Sequence, residues 1–276
     1  MHKEQARAKI NLTLHVGRVI KDPSDPYYGY HPLDSLVVFA DIGDELEIFD
    51  AEKTTLSIGG PFGMGLTAEG DNLILRALKA ANANPQSVTL EKHLPVSAGI
   101  GGGSANAAAI LRMCDIDDVG MAVSLGADVP VCLRSETAHM TGIGEDVTLI
   151  PDMGQLHALL VNPRVAVSTG AIFKAFDAST DIRETPRPMR ANGDLLSRAL
   201  DGRNDLEPIA MAQAPVIGDV LRMLASQNGC QLARMSGSGA TCFGVFESSR
   251  ALRKAEAAIR AQAPEWWCVA TLLGDA

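Results

Sequence analysis

The chain has 276 residues, 46% of them hydrophobic, enough at roughly 150 residues per domain for two domains with sizeable cores and too apolar for a disordered or fibrous chain. Its 24 Lys and Arg against 33 Asp and Glu leave a net charge of -9, the wrong sign for gripping a nucleic-acid backbone or an anionic lipid surface. The five cysteines, Cys114, Cys132, Cys230, Cys242 and Cys268, are odd in number and form no C-x-x-C pair, which speaks against a disulfide framework or a zinc site and for a reducing cytosol.

Residues 1–20 scatter charges where an export signal needs an unbroken apolar stretch. The longest uncharged run, Leu94 to Leu111, is interrupted by glycines, two serines, an asparagine and a proline, so it does not read as a membrane span. A soluble, cytoplasmic protein is expected.

In chain order, Ile10, Leu12, Leu14 and Val16 alternate with Lys9, Asn11, Thr13 and His15, the period of a half-buried strand that puts Lys9 and Asn11 on one face. Lys21 to His31 holds two prolines, a glycine and three tyrosines and reads as a long loop. Strands are predicted over Leu36–Ala40 and Glu45–Phe49, and a helix over Asn72–Ala83 capped by Asp71. A proline and a glycine run then lead into an alanine-rich helix from about Ala105. A further helix ends at Gly126, and Pro130 biases Val129 toward extended geometry, so Asp128 is expected between a helix end and a strand.

The second half opens with a strand over His157–Val161, followed by a loose, polar, proline-bearing stretch from Asp177 to Asp194. Pro215–Gln227 is predicted as a helix with Gly229 just past its end, and Ser248 or Ser249 caps another that runs to Ala263. Two short strands between Leu232 and Phe246 flank a glycine turn, and a final strand covers Trp267–Leu272. Strands and helices in this order predict an α+β chain, with a domain 1–155 and a domain 156–276.

Small residues that open a helix leave unencumbered N–H groups and the positive end of the helix dipole open to an anion, of which phosphate is the natural one; the bland alternative is a mobile turn or a tight packing site. The Walker pattern is excluded, because no lysine follows these glycines. The dinucleotide pattern matches Gly99 and Gly101 but meets Ser104 where its third glycine belongs, which leaves a Rossmann dehydrogenase as a poor alternative. Ser236-Gly237-Ser238-Gly239 could be a plain hairpin turn, and Lys9 or Asp128 alone could be a solvated surface charge. Together they supply what phosphoryl transfer needs: a carboxylate to accept the proton of a hydroxyl, an ammonium to neutralise the moving phosphate, and amides to hold the donor.

Three separated motifs resemble the GHMP small-molecule kinases: Ala8-Lys9-Ile10-Asn11-Leu12, then Pro95-Val96-Ser97-Ala98-Gly99-Ile100-Gly101-Gly102-Gly103-Ser104-Ala105-Asn106, then Ser236-Gly237-Ser238-Gly239. Gly29-Tyr30-His31, Gly126-Ala127-Asp128-Val129-Pro130, Gly144-Glu145 and Asn204-Asp205-Leu206-Glu207 extend the match over nearly the whole chain. Gly102, Gly103 and the Gly-Tyr-His element resemble the branch of that family that acts on 4-diphosphocytidyl-2-C-methyl-D-erythritol.

The resemblance implies a two-domain fold, with an amino-terminal ribosomal protein S5 domain 2-like domain and a carboxy-terminal ferredoxin-like sandwich. It implies ATP-dependent phosphorylation of the substrate's 2-hydroxyl in the non-mevalonate route to isoprenoid precursors, with Asp128 as base and Lys9 on the transferred phosphate. ATP would lie over the Pro95 to Asn106 loop with Mg2+, for which no protein ligand is assigned. Asn11, Tyr30, His31, Phe173, Ser236, Gly237, Ser238 and Gly239 would meet the acceptor, with Tyr30 and Phe173 sandwiching cytosine and His31 hydrogen-bonding to it.

The expected partner is a small molecule carrying a cytidine diphosphate group, with no nucleic acid or membrane, and the expected state a monomer or weak homodimer. Two features depart from the family pattern: an insertion over Lys21–Tyr28 that brings Tyr28 to an aspartate position, and a short connector over Asp115–Asp118. Another GHMP kinase without a cytidine clamp, or a non-catalytic nucleotide-binding homologue, would explain fewer of these residues.

Overall fold

The computed structural model describes residues 2–179, 184–189 and 192–275. The first half builds β1 (His2–Asn11), β2 (His15–Val16), β3 (Leu33–Asp50), β4 (Thr55–Gly59), α1 (Leu73–Ala80), β5 (Gln86–Glu91), α2 (Gly102–Met113), α3 (Val119–Leu125), α4 (Val129–Arg134), β6 (Ala138–Gly142) and β7 (Asp146–Leu149). The second builds β8 (Gln155–Asn162), α5 (Thr169–Asp177), α6 (Leu195–Asp201), α7 (Glu207–Gln213), α8 (Val216–Ala225), β9 (Cys230–Met235), β10 (Cys242–Phe246), α9 (Ser249–Gln262) and β11 (Trp267–Gly274). None of the described helices is long and apolar enough to cross a membrane.

The sheet runs β4-β5-β3-β11-β8-β10-β9, with β1, β2 and β6 also paired to β3 and β7 to β6. The two expected strands, Leu36–Ala40 and Glu45–Phe49, are one strand, β3. In the polar stretch between them Asp44 is buried against Lys92, and Gly43 lets the strand touch β1, since a Cβ there would sit 2.2 Å from the Ala6 carbonyl oxygen. A strand this long can serve both halves, and β11 reaches it through the pair Leu273↔Ala40.

Alternation at the start of the chain is real, but it does not mark a half-buried strand. Ile10 and Leu12 enter a cluster with Leu36, Val38, Leu160 and Phe243, while Lys9, Asn11, Thr13 and His15 on the opposite face are buried too. The strand also breaks after Asn11 and resumes at His15. Each fully buried Ile or Leu contributes about 1.5–3 kcal/mol, which helps offset desolvation of the polar face. A second cluster packs α1, α2 and α4 on β1, β3 and β5, and a third packs α5, α7, α8 and α9 against β8 and β10.

Several helix boundaries also differ from expectation. Asn72, not Asp71, caps α1, its side chain accepting from the Ile74 N–H at 2.9 Å. Asp128 lies between two helices, because Pro130 sits in the first turn of α4, where its missing N–H costs nothing and its fixed φ suits the helix. Ser248 caps α9 as expected. The loose stretch Asp177–Asp194 lies partly outside the described residues; it follows the end of α5, and Asp194 caps α6. The helices α4 to α7 carry too few turns for their periodicity to stand out in the sequence.

Candidate active site

Lys9 and Asn11 leave β1 on the same face, two residues apart, and the Lys9 ammonium donates to Asn11 Oδ1 at 2.8 Å. The same ammonium stands 3.0 Å from Asp128 Oδ1. Lys9 is only 3% exposed, and both partners of its side-chain nitrogen are oxygen atoms, which offsets the cost of burying it. Asn11 is fixed in turn, its Nδ2 donating to Ser35 Oγ at 2.8 Å. The Asp128 side chain is 37% exposed and makes no capping bond to α4, which leaves carboxylate lone pairs for a ligand. Gly144 brings the neighbouring segment close to Asp128: its φ is +119°, and a Cβ there would meet the Ala127 carbonyl oxygen at 2.3 Å.

The glycine loop presses on this pair. Gly99 and Gly101 have φ of +71° and +63°, and a Cβ on Gly101 would lie 3.0 Å from Lys9 Cβ. The Lys9 N–H donates to the Ile100 carbonyl at 3.0 Å. Helix α2 opens on Gly101 with no side-chain cap, so its first N–H groups and its dipole face the cleft. Asn106 lines the cleft with a buried Oδ1 that has no hydrogen-bond partner.

The cleft measures about 930 Å³ and is lined by Lys9, Asn11, Asp128, most of the glycine loop, Phe173, Gly237 and Ser238. Ile100 and Ala105 of the predicted loop instead point into the core. Ser236 is fully buried behind the wall that Gly237 and Ser238 form, and Ser238 Oγ meets Thr169 Oγ1 at 2.8 Å. Phe173 stacks on His31, ring centroids 4.8 Å apart and planes tilted by 35°, with Phe176 edge-on to the same imidazole at 6.0 Å. His31 Nδ1 lies 3.1 Å from the Gly17 carbonyl oxygen and Nε2 3.6 Å from Asp177. Tyr30 is 51% exposed and lies outside the cleft lining, and Tyr28 is likewise exposed.

One ion pair escaped sequence reasoning. Lys92 lines the cleft below Gly102 and pairs with the fully buried Asp44, whose other oxygen accepts the N–H groups of His93 and Leu94 at 2.8 and 2.9 Å. Burial pushes the Lys92 ammonium below its usual range and the Asp44 charge works against that shift. No motif flags Lys92 or Asp44, since they meet only through the pairing of distant strands.

Family models match the chain as "GHMP kinases N terminal domain" over residues 72–136 and "GHMP kinases C terminal" over residues 172–265. It is 49% identical to the 4-diphosphocytidyl-2-C-methyl-D-erythritol kinase of Paracoccus denitrificans over 99% of this chain and 97% of that one. It is 47% identical to the enzyme of the same name from Cereibacter sphaeroides, over 95% of each. A crystal structure of 4-(cytidine 5'-diphospho)-2C-methyl-D-erythritol kinase superposes with a TM-score of 0.79 at 28% identity, covering all of both chains. Mevalonate kinase from Methanococcus jannaschii, at a TM-score of 0.60 and 12% identity over 100% of this chain and 98% of that one, shares the fold.

Proposed function

The chain belongs to the GHMP kinases and, among them, to the 4-diphosphocytidyl-2-C-methyl-D-erythritol kinase family, and from that premise we propose which residues perform its reaction. The protein is a small-molecule kinase of the non-mevalonate route to isoprenoid precursors. It transfers a phosphoryl group from ATP to the 2-hydroxyl of 4-diphosphocytidyl-2-C-methyl-D-erythritol, giving the 2-phosphate and ADP.

Phosphoryl transfer asks the protein mainly for positioning and charge stabilisation. Asp128 accepts the proton of the 2-hydroxyl, and Lys9 orients that carboxylate while neutralising charge on the transferring group. The loop from Pro95 to Asn106 holds the ATP phosphates at the uncapped start of α2. Asn11, Gly237 and Ser238 meet the acceptor from the opposite wall. Phe173 offers an aromatic face to cytosine, the Gly17 carbonyl fixes the His31 ring beside it, and Tyr30 closes from outside.

Magnesium, when bound, would supply positive charge that offsets the charge of the ATP phosphates. The donor set suits it: the Asp128 carboxylate, the Ser104 hydroxyl and the unpartnered Asn106 Oδ1 are oxygens around one cleft. Ser104 and Asn106 would hold the ion together with phosphate and water, which leaves the Asp128 carboxylate to act as base. An amino-terminal domain of residues 1–155 carries the chemistry and a carboxy-terminal domain of residues 156–276 completes the cleft. Free thiols favour a reducing, cytoplasmic setting, where the protein works as a monomer or weak homodimer.

The observation that carries these assignments is the 3.0 Å Lys9–Asp128 pair beneath the glycine loop. The test is ADP release from ATP and magnesium with 4-diphosphocytidyl-2-C-methyl-D-erythritol, mevalonate, homoserine or galactose, for the protein and for Asp128→Asn. Turnover confined to the cytidyl acceptor and lowered about 10²-fold or more in the variant is expected. A variant that keeps its rate would remove Asp128 from the role of base.

A further inference from the structure

Asn204, Asp205, Glu207 and the buried Ser236 take no part in the chemistry above, yet they meet where β1 and the glycine loop come together. The Ser236 hydroxyl accepts the Asn11 N–H at 3.1 Å and donates to the Gly99 carbonyl at 3.0 Å. One oxygen atom therefore ties the strand that carries Lys9 and Asn11 to the loop that opens α2. The approach is close on both sides: a Cβ on Gly99 would meet the Ser236 carbonyl oxygen at 2.5 Å, and one on Gly237 would meet the Gly99 carbonyl oxygen at 2.6 Å.

Asn204 holds this joint from behind. It is buried, and its Nδ2 donates to the carbonyls of Met235 and Gly237, each at 2.8 Å, on either side of Ser236. Its Oδ1 accepts the Leu206 N–H at 2.9 Å, and the Glu207 carboxylate accepts the Met235 N–H at 2.7 Å. Asp205 anchors the brace to β2 by accepting the Val16 N–H at 2.9 Å. The Asn204 side chain thus uses both its amide nitrogen and its oxygen within the protein, as a buried polar group requires.

We propose that Ser236 is a positioning residue for phosphoryl transfer, setting the distance between the phosphate-holding loop and the Lys9–Asp128 pair, with Asn204 keeping it in place and neither touching ATP or acceptor. The proposal rests on the reading of Lys9, Asp128 and the loop as the kinase machinery. Left-handed glycines give the loop little intrinsic rigidity, and besides the Lys9 N–H bond to the Ile100 carbonyl its register on β1 is held by the Ser236 hydroxyl. A misplacement of about 1 Å costs on the order of 10² in rate. The ligand-contacting groups remain, so such a loss falls on kcat and spares KM.

Ser236→Ala is compared with Thr271→Val, which deletes a buried hydroxyl that accepts the Asp41 N–H outside the cleft. The readouts are kcat, KM for ATP and for the cytidyl acceptor, and Tm. Expected for Ser236→Ala is a kcat lower by about 30-fold or more with both KM values within about threefold, while Thr271→Val keeps kcat within about twofold. Asn204→Ala shows the same split, and Ser236→Cys, closer in volume, takes the place of the alanine variant if that variant does not fold. The proposal is overturned if kcat stays within about threefold, if the loss is matched by Thr271→Val, or if KM rises about tenfold, which would mean that the hydroxyl binds a ligand. Lack of turnover by the unaltered protein would instead count against the kinase assignment itself.

Discussion

Burial pushes the Cys132 thiol up to about 12, with the Asp128 charge adding to the effect and Lys9 and Arg112 opposing it. This sulfur would lie 3.7 Å from a Cβ on Gly101, so a cysteine stands against the glycine loop without serving as a nucleophile. A thiol held neutral and out of solvent does not react at pH 8. An aromatic disulfide reagent is therefore expected to leave Cys132 unmodified and the phosphorylation rate unchanged, with labelling of Cys132 only in denaturant, as peptide mass spectrometry would report. Modification of Cys132 in the folded protein would mean that the loop opens far more than its hydrogen bonds allow. Lys9 is buried beside it, its side-chain nitrogen held by Asn11 and Asp128.

At the scale of an element, the start of α2 joins backbone geometry to chemistry. Gly101 combines a φ of +63° with a Cβ position only 3.0 Å from Lys9 Cβ, so Gly101→Ala meets both left-handed strain and a displaced lysine. The strain alone costs roughly 1–2 kcal/mol. Gly101→Ala is expected to lower Tm and to reduce kcat by about 10² or more, because the lysine stem shifts under the loop. Gly103→Ala is the contrast: its φ is ordinary and a Cβ would sit 3.4 Å from the flexible end of Leu73, so the replacement should hold or raise Tm, as alanine favours a helix by about 0.5–1 kcal/mol over glycine. Equal Tm losses in thermal unfolding would refute this assignment of strain.

Across the whole molecule, Arg234 connects layers that no single motif spans. It is nearly buried, and its guanidinium donates to the carbonyls of Leu12, Ala199 and Gly202 at 2.6, 2.7 and 2.8 Å, joining β9 to the residue after Asn11 and to the end of α6. Burial lowers its pKa and Glu207 opposes that. Arg234→Ala leaves three carbonyls without their donor, and bonds to a charged donor are worth about 1.5–3 kcal/mol each. Urea unfolding should show a loss of about 3 kcal/mol or more, with a midpoint shift at unchanged slope. A loss under about 1 kcal/mol would mean that water or rearranged donors satisfy these carbonyls.

The sequence by itself determined the parts whose physics is local: glycines where the loop turns left-handed, a period of two that puts Lys9 beside Asn11, the Ser248 cap, and a family resemblance that the comparisons bear out. Tertiary structure alone decided that Leu33–Asp50 is one strand, that the polar face of β1 is buried, that Asp128 precedes a helix and that Lys92 pairs with Asp44. Ser236 is the sharpest case, since its serine-glycine run reads as a hairpin turn while its hydroxyl joins Asn11 to Gly99. A local pattern reports the torsions a residue prefers. Whether a buried polar atom finds a partner depends on strands brought together from far along the chain, and that follows only from the packed fold.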